Sequence, residues 1–390
     1  MKILRVISSV NPAAGGPING LVNSSNELLK LGHEIDVLSL DDPTSVWIKN
    51  FNFTLHTFSS SLGGLKYSHE FSQWLNINVS NYDVVIIHGL WQYHSYASAK
   101  ACVKYKIPYV TFTHGMLDPW FNQNNKLKTL KKVVYWKLFE QFTINKASAV
   151  LFTSEEEKNL ARQSFSPYSP IEKVVAYGCP LYAGDKFSLS DKFYSVFPHL
   201  KDSQFGLFLS RIHTKKGIDL LIDALAQLSD LPSEFKLAIA GPDSGGLSNT
   251  LKAQVTKLGL DDKIIWLGML DGEVKWGAYH AADFFILPSH QENFGIVVAE
   301  ALSTATPVLI TNKVNIWREI NSSESGFVAE DDVIGITTLL KRWFSLTEER
   351  KLQMSDNAKN CYTDNFSIKS AALGLDSALN EVFRTFNGKT

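Results

Sequence analysis

The sequence predicts an α/β protein made of two doubly wound domains facing across a cleft. Three observations carry that expectation. The chain has 390 residues, more than one ordinary core accommodates. Short apolar runs alternate with helix-length intervals, the pattern of buried parallel strands joined by right-handed crossovers. The alternation then begins again after a stretch punctuated by Gly and Pro.

In the first half, Ile3 to Ser8 is an apolar run interrupted by Arg5, too short for a signal peptide and suited to a first strand. Asn11 to Gly16 is turn-rich, Gly20 to Leu31 has helical spacing, Gly32 stops that helix, and Ile35 to Leu40 is strand-like. Val84–Ile87, Tyr109–Phe112 and Ala149–Phe152 supply further strands. Tyr177 to His199, with Gly178, Pro180, Gly184 and Pro198, reads as the join between halves. In the second half Phe205–Leu209, Lys236–Ala240, Ile264–Leu267, Phe284–Leu287 and Val308–Ile310 read as strands, and Gly217 to Leu228 as a helix. Ile368 to Phe386 reads as a closing helix. The expected domains are residues 1–182 and 183–365, followed by a terminal helix at 366–390. Ligands in such sheets sit beyond the carboxyl ends of the strands. That rule directs attention to the loops after Ser8, Ile87, Phe112, Leu209, Ala240, Leu267 and Leu287.

Composition narrows the function. Lys+Arg 38 against Asp+Glu 39 gives no general electrostatic reason to bind nucleic acid. Cys102, Cys179 and Cys361 are isolated and odd in number, with no metal-ligand spacing, which points to a reducing cytosol. No uncharged apolar run reaches the 18 residues of a transmembrane helix.

Two segments suggest chemistry. Ser210-Arg211-Ile212-His213-Thr214-Lys215-Lys216-Gly217 follows a strand and leads into a helix. Cations there add to backbone N–H groups and the helix dipole, making a diphosphate site; a solvated basic turn is the plain alternative. Leu287-Pro288-Ser289-His290-Gln291-Glu292-Asn293-Phe294-Gly295 then runs from a strand toward a helix beginning near Phe294, with Glu300 further along. Two carboxylates at that separation span at most ~12 Å if helical. Each could accept hydrogen bonds from adjacent sugar hydroxyls, or the pair could simply be helix-surface residues.

Taken together, the segments resemble the retaining glycosyltransferases of family 4, whose fold is GT-B, with two Rossmann-like domains. Arg211, Lys216-Gly217 and Glu292…Glu300 match the family pattern in order and spacing. Ala240-Gly241-Pro242-Asp243, Trp266-Leu267-Gly268-Met269-Leu270 and Tyr279-His280-Ala281-Ala282-Asp283 match its intervening loops. The resemblance implies roles. Arg211 and Lys216 neutralise the diphosphate beside Gly241, Glu300 binds the ribose hydroxyls, and Met269 and Leu270 border the base. Glu292 holds a hydroxyl of the transferred sugar, aided by backbone N–H groups of Asn293, Phe294 and Gly295. The family often has Gly where Asn293 stands, so Asn293 adds a sugar contact or narrows the donor.

In the first half, Gly15-Gly16 resembles the family's acceptor-side loop and lacks the G-x-G-x-x-G dinucleotide fingerprint. His114, in Thr113-His114-Gly115-Met116-Leu117-Asp118, matches a family histidine that faces the donor sugar, with Asp118 as a candidate partner. His88 and Trp91 either line the acceptor site with Tyr93 and His94 or pack as core. The resemblance also implies that the last helix crosses back to the first domain. The chain contains no Asp-x-Asp pair, so no metal or other cofactor is expected and cationic side chains take its place. Lys126 to Phe142, with Lys126, Lys128, Lys131, Lys132 and Lys137 among apolar residues, reads as an amphipathic helix. It is either solvated or rests on an anionic membrane.

The resulting expectation is a cytoplasmic hexosyltransferase, peripheral to the membrane if that helix binds lipid. It passes a sugar with retention from a nucleotide-sugar (UDP-glucose first, GDP-mannose second) to a saccharide or lipid-linked saccharide in envelope or exopolysaccharide synthesis. The alternatives are a GT-B-like nucleotide-sugar epimerase and a non-catalytic sugar-nucleotide-binding subunit.

Overall fold

The computed structural model describes residues 1–61, 63–122, 126–229, 231–243 and 245–388, without the side chains of Ala14, Lys126 and Lys128. The chain divides into two compact units: Met1–Gly178 with Ile368–Thr390, and Cys179–Ser367.

Unit 1 opens with β1 (Lys2–Ile7), α1 (Gly16–Lys30), β2 (Glu34–Ser39), β3 (Thr54–Thr57), α2 (His69–Asn78) and β4 (Val84–His88). It continues through α3 (Tyr93–Tyr105), β5 (Tyr109–Phe112), α4 (Lys126–Tyr135), a π-helical turn Trp136–Glu140, α5 (Gln141–Asn145), β6 (Ala149–Phe152), α6 (Glu155–Ala161) and β7 (Glu172–Val174). Its parallel sheet has the order β3-β2-β1-β4-β5-β6-β7, so the strand order reverses between β1 and β4. Alternation along β1 sends Leu4 and Val6 to one core with Phe71, Leu75 and Trp136, and Ile3 and Ile7 to the other with Leu21 and Leu28. Arg5 occupies a core position on the second of these faces, with only 1% of its surface exposed.

Unit 2 runs α7 (Lys186–Val196), β8 (Phe205–Leu209), α8 (Ile218–Ala226), β9 (Lys236–Ala240), α9 (Leu247–Lys257), β10 (Ile264–Gly268) and α10 (Gly272–Ala281). Then follow β11 (Phe284–Leu287), α11 (Ile296–Ser303), β12 (Val308–Thr311), α12 (Trp317–Ser322), β13 (Gly326–Ala329), α13 (Val333–Phe344) and α14 (Glu348–Cys361). The order β10-β9-β8-β11-β12-β13 reverses between β8 and β11. About half of the stretch read from sequence as a join is therefore the helix α7, capped by Asp185, whose carboxylate accepts from the Ser188 N–H at 2.9 Å.

The last helix, α15 (Ile368–Asn387), returns to unit 1 and packs along α1. Leu375, Leu379 and Val382 enter the core that Ile3 and Leu21 line, and His33 Nε2 meets Asp376 Oδ1 at 2.8 Å. The ends of unit 2 pair with each other: Cys179 donates its N–H to Phe366 O at 2.8 Å and forms a parallel bridge with Ser367.

Candidate active site

In unit 2 both chemistry-bearing segments lie at the reversal point, one after β8 and the other after β11. Loops from neighbouring strands that wind in opposite directions leave a crevice between them, the usual place for a ligand in this architecture. The two loops touch closely. A Cβ added to Gly217, which has φ 64°, would lie 2.1 Å from Pro288 O. His290 N donates to Lys215 O at 2.8 Å. Gly217 thus lets the basic turn press against the Pro-Ser turn, and this contact brings the Lys216 ammonium onto Glu292 Oε2. Lys216 is buried, whereas Arg211 is exposed and makes no hydrogen bond or ion pair among the described residues.

Gly241 has a parallel task. Its φ is 139°, and a Cβ there would lie 1.7 Å from Ser210 O. The β9 loop passes directly beneath Arg211, and Ile212 N donates to Pro242 O at 2.9 Å.

Glu292 lies outside any helix. It pairs with Val314 in a short parallel bridge, donating its N–H to Lys313 O and receiving that of Asn315. α11 begins at Ile296, two residues later than expected from the sequence, because Gly295 takes φ 70° as its N-cap. Glu292 and Glu300 therefore do not share a helix face. The first is fixed by a loop, and the second lies within α11. Glu300 is buried: Lys275 Nζ donates to Oε1 at 2.7 Å and the Tyr279 hydroxyl to Oε2 at 2.9 Å. Asn315 Nδ2 donates to Asn293 Oδ1 at 3.4 Å, orienting that amide. Phe294 packs edge-on against Phe366 in the core, so at this position only its backbone is suited to a ligand. Met269 is 69% exposed after β10, while Leu270 is half-buried.

In unit 1 the reversal point is flanked by the loops after β1 and β4. Asp41 ties the first loop down, accepting from Ser9 Oγ at 2.6 Å and Val10 N at 2.7 Å. Gly15, at φ 79°, then turns the chain into α1; beyond both Gly15 and Gly16 a side chain would meet open space. The Tyr177 hydroxyl accepts from Gly20 N at 2.7 Å and donates to Gly16 O, closing the first turn of α1.

His114 adopts φ 49°, a left-handed conformation that a non-glycine residue holds only when its surroundings impose it. Glu157 on α6 does so. Its Oε1 accepts from Thr113 Oγ1 and Gly115 N, each at 2.6 Å, and its Oε2 from Thr153 N and Oγ1, each at 2.7 Å. Trp91, at φ 69°, has a matching clamp: its N–H donates to buried Glu140 Oε1 at 2.6 Å. Burial pushes Glu140 up to about 7.

His88 is buried, and Trp91 is packed against Trp136 and Phe165. His88 lies against His114, whereas Trp91 is half-buried and its indole N–H donates to Met116 O at 3.2 Å. Tyr93 meets Ser72 through its hydroxyl, and His94 Nε2 donates to His88 O at 2.9 Å. Asp118 accepts from Trp120 N at 2.8 Å, and the ring partner of His114 is His88, at 3.1 Å between Nδ1 and Nε2. Sequence reasoning missed Glu157, Asp41, Lys275 and Tyr177 as positioning groups, since nothing in the local pattern separates them from surface polar residues. Arg5 left a trace, a lone charge inside an apolar strand.

The amphipathic segment is helical as expected, with a π-turn at Trp136–Glu140. Leu127, Leu130, Val134 and Leu138 are exposed at 75, 61, 50 and 62%, with Lys131 and Lys137 exposed beside them. Lys132 lies over the Trp91 and Phe121 rings, and the side chains of Lys126 and Lys128 lie outside the described residues. Among the described residues no helix is long and apolar enough to cross a membrane.

Comparison with known proteins agrees with this architecture. Residues 191–361 match the family model of glycosyl transferases group 1, and residues 15–178 that of the glycosyl transferase 4-like domain. An uncharacterized glycosyltransferase of Methanocaldococcus jannaschii is 26% identical over 88% of this chain and 90% of its own length. Mannosylfructose-phosphate synthase of Agrobacterium fabrum is 34% identical, over 34% of this chain and 31% of its own length. This chain therefore spans about a third of that relative. The crystal structure of Anabaena HepE in complex with UDP and glucose superposes with a TM-score of 0.72 at 19% identity, covering 98% of this chain and 100% of that one. With both family models matched in order across two parallel-sheet units, the chain belongs to the glycosyl transferases group 1 and has the GT-B fold.

Proposed function

We propose that this protein transfers a hexose, with retention, from a nucleotide-sugar to a saccharide or lipid-linked saccharide. The observation that carries the reading is the convergence of Arg211, Lys216 and Glu292 on two touching loops at the reversal point of unit 2. Sugar transfer from a nucleoside diphosphate needs cations where charge builds on the leaving group and acceptors for the sugar hydroxyls. Arg211 and Lys216 supply the first, without a metal ion. Glu292 holds the transferred sugar together with the Asn293–Gly295 backbone, and Glu300 holds the ribose. His114, from unit 1, donates a hydrogen bond to a sugar hydroxyl. Gly15 and Gly16 serve the acceptor side.

UDP-glucose is the first donor to test, and the UDP and glucose bound by the HepE structure support that order. GDP-mannose is second. A thermal-shift screen of UDP-, GDP- and ADP-sugars identifies the donor, and stabilisation by none of them removes the reading. Excess EDTA leaves activity unchanged if the cations suffice. NMR of the product decides the stereochemistry, and an inverted anomer rules out retention. Acceptor-free conversion of the donor to an epimer would favour the epimerase instead. Tight binding without slow Glu292-dependent hydrolysis would favour a binding subunit.

The exposed ridge Leu127–Leu130–Val134–Leu138 beside Lys131 and Lys137 supports peripheral contact with an anionic membrane. Sedimentation with phosphatidylglycerol vesicles, lost in Leu130→Glu and at high salt, is the expected result. Sedimentation unchanged by that substitution argues against this surface.

A further inference from the structure

We propose that Arg5 and His88 are positioning residues that lock His114 as the neutral tautomer carrying its proton on Nδ1. A chain of hydrogen bonds runs outward from β1. Arg5 is buried with no carboxylate partner among the described residues, an expensive arrangement for a cation. Nη1 donates to Leu21 O at 3.0 Å, Ser24 Oγ at 2.7 Å and Ser25 Oγ at 2.8 Å. Nε and Nη2 both point at His88 Nε2, at 3.3 and 3.1 Å.

A guanidinium has only donors, so His88 Nε2 must accept, and the His88 proton sits on Nδ1. His88 Nδ1 lies 3.1 Å from His114 Nε2. That nitrogen must in turn accept, which leaves His114 with its proton on Nδ1. Among the described residues Nδ1 of His114 has no partner, so this N–H is left to a ligand. The three groups are stacked in register: the His88 ring lies against Phe112 and His114 at centroid distances of 5.5 and 5.3 Å.

Burial and the Arg5 charge oppose a second proton on His114. Arg5 and His88 face its Nε2 side, and the Tyr177 ring stands edge-on at 6.4 Å. Glu157 is committed to Thr113, Gly115 and Thr153, and His94 to the His88 carbonyl. Burial and the Arg5 charge lower His114 to about 4. Arg5 therefore sets the direction of both hydrogen bonds, through the buried His88 ring to the half-buried His114. His114 acts as a fixed donor and takes no part as a general acid or base. The lock stands on unit 1 alone; its value for catalysis rests on the proposed role of His114 toward the donor sugar.

The test is two-bond 15N–1H correlation NMR of the full chain labelled at its histidines. In the wild type, His114 is expected to show a protonated Nδ1 and a bare Nε2, unchanged from about pH 5.5 to 8.5, well above its lowered pKa of about 4. His88→Gln keeps this pattern, since its carbonyl accepts from Arg5 and its amide donates to His114. His88→Leu removes the donor and moves the His114 proton to Nε2. An Nε2-protonated His114 in the wild type, or an Nδ1-protonated one in His88→Leu, overturns the lock. Arg5→Lys retains a donor and the His88 tautomer, Arg5→Met removes both, and an unchanged His88 tautomer in Arg5→Met removes Arg5 from the scheme. Kinetics then separate the two claims. His88→Leu raises the KM for the donor by about tenfold, the worth of one hydrogen bond, while His88→Gln restores it. A proton that moves with no change in KM leaves the lock standing and removes His114 from the donor site.

Discussion

At the residue scale, the Lys216–Glu292 pair joins the two loops of the proposed donor site. Each partner neutralises the other, so removing one leaves a partly buried charge without its counterpart, as well as removing a ligand group. Glu292→Gln is expected to lower kcat/KM by about 10²-fold, the scale of losing one charge-assisted interaction. Lys216→Met should do the same, and the double variant should fall well short of the product of the two losses. Steady-state kinetics of the three variants measures that coupling; fully multiplicative losses would mean the two residues act separately. Much of this site was legible from sequence, since Arg211, Lys216, Glu292 and Glu300 carry charge in a fixed order. Glu157 and Glu140 were not. A glutamate on a helix looks solvated until the fold shows which backbone it grips, and each of these grips the loop of a residue with positive φ.

At the element scale, the loops after β8, β9 and β11 form one stack, with glycines at the crossings. Gly241→Ala would force a Cβ to within 1.7 Å of Ser210 O at a φ that alanine resists. It should cost roughly 2–4 kcal/mol of stability, seen as a lower urea midpoint at unchanged slope. Glu140, in the π-turn after α4, tests pH in the same way. Its pKa is raised above the ordinary 4.5 to about 7 by burial, so the folded state holds its proton more firmly than the unfolded chain. The stabilisation from that proton is complete below about 4.5 and is lost as pH rises through about 7. Glu140→Gln keeps an acceptor for Trp91 N and Ser95 Oγ and carries no charge. Its stability relative to wild type should therefore grow between pH 5 and pH 8 in urea titrations; a constant difference would contradict the shift. The strands and most helices were readable from apolar period, but the start of α11 was not. Gly295 overrode a pattern in which Phe294 looked like the first helical residue.

At the scale of the whole molecule, sequence period showed two repeats of one grammar, but the apolar pattern gave no sign of where the chain crosses between units. The crossing is made by Cys179 and Ser367, paired side by side, with Gly178 and Ile368 equally close on the unit 1 side. Unit 2 is thus an insertion whose two ends meet. An unstructured insertion on the order of 200 residues would charge α15 about 5 kcal/mol of loop entropy before it could dock on α1. A folded unit 2 brings its ends together and removes most of that charge. The order of assembly follows: unit 2 forms, and the last helix then completes unit 1. Native-state hydrogen exchange should show the amides of α15 opening together with the sheet of unit 2, although their side chains lie in a different core. Exchange of α15 with β1 and β4 alone would show the opposite order. The paired crossing acts as a clasp, through which the stability of unit 2 becomes a term in the stability of unit 1.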